Sequence, residues 1–352
     1  MKFLKLATVA LALLTICLAG GYLLLTWDSP LGPPLASPTE VNFPELSDPV
    51  AAAAAPASTQ QPSATPAPSP TPTIVPVCGG PPALTILLSG VASEGYLYGL
   101  ADAIRVVRVD FQRQTITVLA LPRDLWVDIP GIADHGVRQG KLNQAYFYGT
   151  EGMGFYDGSG FGSGLLAETL RADFGIEIDH YLAVNLAAFR RIIDAMGGLE
   201  VYFSSPVYIK KFEKPKLYLH AGSHHLTGKQ AENVVRSRIE GGDLGRIDQQ
   251  TVVLKAAAQQ MLTPAGLQSL PHLIQLLNNS VLTDLSPAEI SQLVCLAGMI
   301  DPQAQVSFVS IPADQLREGR VYDPYLDYQP SVLLYDPDAL RQLAARFNAG
   351  SW

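Results

Sequence analysis

Charge is scarce in this chain of 352 residues. Only 16% of positions are charged, and the acidic residues outnumber the basic ones, 32 to 24. A net charge of −8 excludes nucleic-acid binding by bulk phosphate neutralisation, and with it a polybasic attachment to anionic lipid. Cysteine is scarcer still, three residues in all. There is no internal repeat. No GxSxG stretch is present, so a serine hydrolase has no signal. The histidines His220, His224 and His225 crowd into "HAGSHH", but Gly222 among them argues for a turn and against a zinc site. The glycines of "GSGFGSG" follow no strand and read as a loop.

What is abundant is apolar surface. Hydrophobic residues make up 48% of the chain, too many for a disordered protein and ample for a large core. Part of it is concentrated at the start. "LATVALALLTICLAGGYLLLTW", residues 6–27, carries no charge, follows Lys2 and Lys5, and precedes Asp28. A run of about 20 apolar residues spans a bilayer, whereas a cleaved signal has a shorter apolar core. The sequence therefore favours a single-pass anchor with the N-terminus inside and the remainder extracytoplasmic. Cys17 lies within this run and reads as a membrane-facing residue. Cys78 and Cys295 are left, in a compartment that permits a bond between them. One disulfide or two separate buried thiols fit the count, and the compartment favours the bond.

Four segments follow along the chain: the N-terminal tip and anchor at 1–27, a Pro/Ala/Ser/Thr-rich extracytoplasmic linker at 28–80, a domain at 81–262 and an α/β extension at 263–352. The linker contains "AAAAAPASTQQPSATPAPSPTPTIVPV". It has too little to bury, and its prolines keep it extended, so it reads as a tether. Beyond it, strand-like runs at 83–91, 103–111, 115–122, 180–186, 197–203 and 305–312 alternate with helical patterns at 164–174, 187–196, 243–262, 286–300 and 336–347. Ser286-Pro287 with Glu289 predicts an N-terminal cap. The alternation implies one α/β/α domain, a mixed central sheet with helices on both faces, after the N-terminal transmembrane helix.

One stretch stands out against the low charge. "VVRSRIEGGDLGRIDQQ", residues 234–250, gathers three arginines and two aspartates among apolar neighbours. With "NVVRSRI" as a short strand, Arg236 and Arg238 point to one face. With a helix from about Asp243, the residues Asp243, Arg246 and Gln250 share a stripe. Guanidiniums converging on a helix start suit a diphosphate. A structural ion-pair network is the commoner outcome for such a cluster taken alone.

From about Leu84 to Met261, the chain resembles the LytR-CpsA-Psr family of bacterial cell envelopes. The matching stretches come in family order: "ILLSG", "DAIRVVRVD", "LALPRDLWVDIPG", "KLNQAYFYG", "IDHYLAVNLAAFRRIIDAMGGLEVYF", "AGSHHLTGKQAENVVRSR" and "DLGRIDQQ". The resemblance implies a phosphotransferase that moves a glycopolymer from a polyprenyl-diphosphate carrier to peptidoglycan or another envelope acceptor. On the matching positions, Arg123, Arg236, Arg238 and Arg246 hold the diphosphate, and Arg238 also acts in catalysis. Asp102 and Asp243 hold Mg²⁺ or activate the acceptor hydroxyl. Lys141 and Gln250 complete the polar rim. The polyprenyl tail lies in an apolar tunnel beneath the sheet, lined partly by the 187–196 helix. The chain departs from the family where an Asp is usual after the first strand. Ala92 stands there, with Glu94 two residues on: either Glu94 substitutes and metal binding rests on different ligands, or the metal site is weaker or the activity lost. The reading from another class is a non-catalytic polyprenyl-phosphate or glycopolymer binding protein.

Overall fold

The computed structural model describes residues 26–35, 75–209, 217–237, 242–277 and 280–352. The apolar run expected to anchor the chain lies outside the described residues except for its last two positions. Among the described residues, no helix is long and apolar enough to cross a membrane.

The expected mixed sheet is present. Strands β1 (Ala83–Val91), β2 (Ala101–Asp110), β3 (Thr115–Leu121), β6 (His180–Asn185), β11 (Val281–Thr283) and β12 (Val306–Ser310) lie in the order β11-β6-β1-β2-β3-β12. The β1–β2, β2–β3 and β6–β11 pairs are antiparallel, and the β1–β6 and β3–β12 pairs are parallel. The β2–β3 turn is fixed by Asp110, whose Oδ1 accepts from the backbone N–H groups of Gln112 and Arg113 at 3.0 and 2.7 Å. Both edge strands of the sheet, β11 and β12, come from the C-terminal extension, which therefore belongs to the same domain.

Alternation along the strands divides the sheet's side chains between two layers. Leu87, Ile104, Val106, Leu119 and Ala183 enter the larger core. Helices α1 (Leu142–Tyr148), α2 (Phe161–Phe174) and α8 (Pro337–Asn348) complete it with Tyr146, Leu165, Phe174, Leu340 and Phe347. On the other face, Leu84, Ile86 and Val109 meet Leu296 of α7 (Pro287–Ala297). The cap expected for α7 forms, with the Ser286 side chain accepting from the Glu289 N–H. A third cluster joins α3 (Leu186–Ala195), α4 (Gly228–Arg236) and α5 (Gly242–Met261) to the antiparallel pair of β7 (Leu199–Phe203) and β10 (Gly222–Leu226). The remaining elements are peripheral: the pairs β4 (Trp126–Asp128) with β5 (Gln139–Lys141), β8 (Val207–Ile209) with β9 (Leu217–Leu219) and β13 (Leu316–Arg320) with β14 (Ser331–Tyr335), and helix α6 (Pro264–Leu277).

Two local readings change. "NVVRSR" is not a strand: Val234–Arg236 form the last turn of α4. The Thr227 side chain accepts from the Gln230 N–H, and the Gln230 side chain reaches back to Thr227, so a capping box starts the helix. That local closure outweighs the strand preference of two adjacent valines. The segment expected to begin a free tether is docked at its start. Ala288 N–H donates to Trp27 O, Leu31 N–H to Leu285 O, and the Tyr181 hydroxyl to Pro33 O. Residues 26–35 thus lie along the β11–α7 edge of the domain. The other end is docked too: Val77 N–H donates to Phe111 O, and Cys78 is bonded to Cys295 of α7, with Cα atoms 5.9 Å apart.

Candidate functional site

The site begins where β2 starts and β3 ends. The last β2–β3 pair is Ile104 with Leu121. Two residues further along each strand are Asp102 and Arg123, and Arg123 donates from Nη1 to Asp102 Oδ1 at 2.6 Å. Helix α1 docks on the same loop: Leu142 N–H donates to Leu125 O and Asn143 N–H to Arg123 O. This places the buried Asn143 amide beside Asp102, with Nδ2 donating to Oδ1 at 3.2 Å. Asn143 Oδ1 is buried and has no hydrogen-bond partner. Lys141, at the N-terminus of α1, reaches Asp124 Oδ1 at 2.7 Å, and Arg123 Nε lies 3.6 Å from Asp124 Oδ2. Four side chains around Asp102, those of Arg123, Asp124, Lys141 and Asn143, are thus fixed by strand register and one short helix.

Helix α5 closes the other side. Gln250 donates to Asp102 O at 3.2 Å and to Val235 O at 3.4 Å. Its Oε1 accepts from Arg105 Nη2 at 3.2 Å. Arg246, one turn earlier, is 4% exposed. Ser237 joins the end of α4 to α5 through its hydroxyl, which donates to Gln249 Oε1 at 2.8 Å. Asp243, Arg246 and Gln250 do lie on one helix, as expected. Arg246 and Gln250 nevertheless turn inward with Ile247, so Gln250 is an interior bridge and not a rim residue.

Arg236 goes elsewhere. It pairs with Glu232 one turn back, Nη1 to Oε1 at 3.0 Å. Glu232 is 1% exposed and also takes Arg190 and Lys229, each at 2.8 Å. Burial pushes the Glu232 carboxyl up. The hydrogen bonds from Lys229, Arg190 and Arg236 outweigh burial and hold it below its ordinary value. Arg190 continues the network to Glu94, with contacts of 3.0 and 2.6 Å. The carboxylate two residues beyond Ala92 is therefore engaged with Arg190 and does not meet Asp102. For this arginine the ion-pair alternative holds. Arg238 and the Asp243 side chain lie outside the described residues.

The structure thus brings together Asp102, Arg123, Gln250 and, beside them, Lys141. Residues that sequence reasoning left without a role also belong here: Asn143, Asp124 and Arg105. Asn143 stands inside a matched motif, and its signal was a polar residue at the start of a buried helix. Arg105 carried a plainer signal, a cation in the middle of an apolar strand. Among the described residues, no three of His, Cys, Asp and Glu form a metal cluster. In "HAGSHH", His224 Nε2 is 2.8 Å from His220 O, and His225 Nδ1 is 2.6 Å from Glu200 Oε1.

Comparison with known proteins adds to this geometry. The LytR_cpsA_psr family matches residues 59–333, more than three quarters of the chain. The match passes Met261, where the motifs legible by eye stop. A polyisoprenyl-teichoic acid–peptidoglycan teichoic acid transferase TagU of Oceanobacillus iheyensis is 30% identical over 214 residues, covering 60% of this chain and 62% of that protein. The chain thus spans under two thirds of the length of this relative. The crystal structure of B. subtilis TagV superposes with a TM-score of 0.60 at 22% identity, covering 76% of this chain and 97% of that one. A structure of TagT bound to LIIa-WTA gives 0.56 at 19% identity, covering 78% and 95%. At these identities the two superpositions show a shared fold.

Proposed function

The chain belongs to the LytR_cpsA_psr family, and from that premise we propose that it transfers a glycopolymer from a polyprenyl-diphosphate carrier to peptidoglycan or another envelope acceptor. The observation that carries the reading is the Asp102–Arg123 pair at the strand ends, flanked by Asn143 and backed by Gln250. A hydroxyl oxygen of the acceptor attacks the phosphorus that bears the polymer. A new P–O bond forms, the bridging P–O bond of the diphosphate breaks, and polyprenyl phosphate leaves with the electron pair. Such transfer depends on positioning and on cations around the phosphates. Arg123 and Lys141 supply charge on the β3–α1 side and Arg246 on the α5 side, and Arg238 is the fourth cation of this reading. Asp102 orients the acceptor hydroxyl and takes part in receiving its proton.

The residues fit Mg²⁺ held jointly with substrate. Asp102 offers a carboxylate, Asn143 Oδ1 is a buried oxygen with no partner, and Asp243 stands in the first turn of α5. Mg²⁺ is commonly bound by one or two carboxylates with substrate phosphates completing the shell. When bound, it neutralises charge on the diphosphate. In this reading the polyprenyl tail lies beneath the sheet, against a path lined partly by α3. Residues 6–27 anchor the chain once, with the domain extracytoplasmic and the Cys78–Cys295 bond kept oxidised there. Protease added to spheroplasts should digest the domain, and a protected domain would refute this orientation.

Ala92 favours one second reading, a carrier-binding protein without turnover. The two separate in one assay: purified chain, Mg²⁺ and a polyprenyl-diphosphate-linked oligosaccharide, with polyprenyl phosphate followed by mass spectrometry. Release supports the transferase. Tight binding without release supports the second reading.

A further inference from the structure

We propose that Arg105 is an additional phosphate-binding residue of the carrier site, its guanidinium waiting in the layer between β2 and α5 for an oxygen of the diphosphate. The inference deepens the transferase reading and rests on it.

Strand β2 runs through the middle of the sheet, and Arg105 sits on it opposite Leu88 of β1 and Ala120 of β3. Alternation gives Arg105 the same face as Val107 and Val109, an apolar layer. It is 3% exposed. Its hydrogen bonds go to Ile104 O at 3.0 Å, Ile247 O at 3.5 Å and Gln250 Oε1 at 3.2 Å. All three acceptors are neutral. Among the described residues, no carboxylate lies within ion-pair distance of it. Arg108, Arg113, Arg123, Arg190 and Arg236 each have such a partner.

A buried charge without a counter-ion is costly, because neutral dipoles replace only part of the lost hydration. Burial pulls this guanidinium down to about 10, and no charged neighbour offsets the effect. An apolar side chain at this position would satisfy the fold better. A guanidinium also has five N–H donors, more than the three bonds it makes here. Its neighbours say which anion it awaits. Gln250 ties it to Asp102 O, at the end of β2 where Arg123 closes on Asp102. Arg246 is buried one turn before Gln250, and Arg105 itself bonds to the carbonyl of the adjacent Ile247. Two guanidiniums therefore approach one turn of α5. A multiply charged, oxygen-rich anion is the ligand class that engages several such forks.

The test uses the full chain in detergent, titrated calorimetrically with farnesyl diphosphate, inorganic pyrophosphate and farnesol, and melted in parallel. Arg105→Leu should melt at or above the wild-type temperature. It should lose tenfold or more in affinity for both phosphate probes and none for farnesol. Arg105→Lys should recover part of the loss. Arg105→Gln keeps hydrogen-bonding capacity without the charge and covers the case in which the Leu variant does not fold. A folded Leu or Gln variant with wild-type affinity for both phosphate probes overturns the proposal and leaves Arg105 as a tie between β2 and α5. Equal losses for farnesol overturn it too, since they mark a distorted pocket. If Arg246→Ala loses phosphate affinity while Arg105→Leu does not, only this inference falls. If the wild-type chain binds neither phosphate probe, the transferase reading falls with it.

Discussion

Asp102 and Arg123 meet at 2.6 Å because the register of two neighbouring strands leaves them opposite each other, two residues past the last ladder pair. The pair is partly buried, its side chains 12% and 29% exposed, and its substitution should read out chiefly in turnover. Arg123→Ala should lower turnover about 10²–10³-fold with little change in melting temperature. Arg123→Lys should also be poor, because a point charge does not reproduce a planar fork. Normal turnover in a folded Arg123→Ala chain would remove Arg123 from the site.

Arg246 and Arg238 differ in what their removal should do. Arg246 is buried, so Arg246→Ala should lower both affinity for a short-chain polyprenyl diphosphate and the melting temperature. Arg238→Ala should abolish carrier turnover while leaving the fold intact. Each removes a charge-assisted contact worth roughly 1.5–3 kcal/mol. Unchanged affinity in the folded fraction of both variants would assign the pair to structural ion pairing.

Ala92 follows the end of β1, and its N–H donates to Leu100 O, two residues before Asp102. A carboxylate placed there stands beside the start of β2. Ala92→Asp should therefore tighten Mg²⁺ binding measured by calorimetry. Unaltered metal affinity would mean that the strand end has moved away from the metal position.

Asp173 offers a pH test remote from the site. Burial, then the charge of Asp128, push its carboxyl up to about 7. Well below the ordinary aspartate pKa the group is protonated in both folded and unfolded chains. As pH rises to about 7, the unfolded chain loses the proton and the folded one keeps it, so stability falls across that window. Asp173→Asn can still accept from the Asp128 N–H, a bond of 3.0 Å in the wild type. Denaturation at a series of pH values should show a shallower slope in Asp173→Asn between pH 4 and 7. An identical slope would place the titration elsewhere.

The Cys78–Cys295 bond spans 217 residues and ties the entrance of the domain to α7. Removing a bond that closes so long a loop costs about 2–5 kcal/mol. Cys295→Ser should melt correspondingly lower, and reduction of the wild type should reproduce the drop. Peptide mapping that finds both thiols free would dispose of the prediction.

Features with local causes were legible in the chain before any fold was known. Apolar, β-rich runs of strand length marked the strands at Ala83–Val91, Thr115–Leu121 and His180–Asn185 almost to the residue. Ser286 and Glu289 fixed the start of α7, because a cap is satisfied within four residues. The matched motifs named Asp102, Arg123 and Gln250. Tertiary structure decided what depends on residues far apart in the chain. Arg236 could not be placed while "RSR" read as a strand: on helix α4 it pairs with Glu232 one turn back, and only the packing of α4 beside α3 brings Arg190, itself held by Glu94, to the same carboxylate. The capping box at Thr227 and Gln230 was legible, yet two valines suggested a strand. The edge strands β11 and β12 are too short and too generic to announce their partners before β6 and β3 are in place. Arg105 looked like any charge in a strand until the sheet closed over it. Burial is a property of neighbours supplied by other segments, and a one-dimensional pattern records which residues are apolar but not which face the rest of the chain will cover.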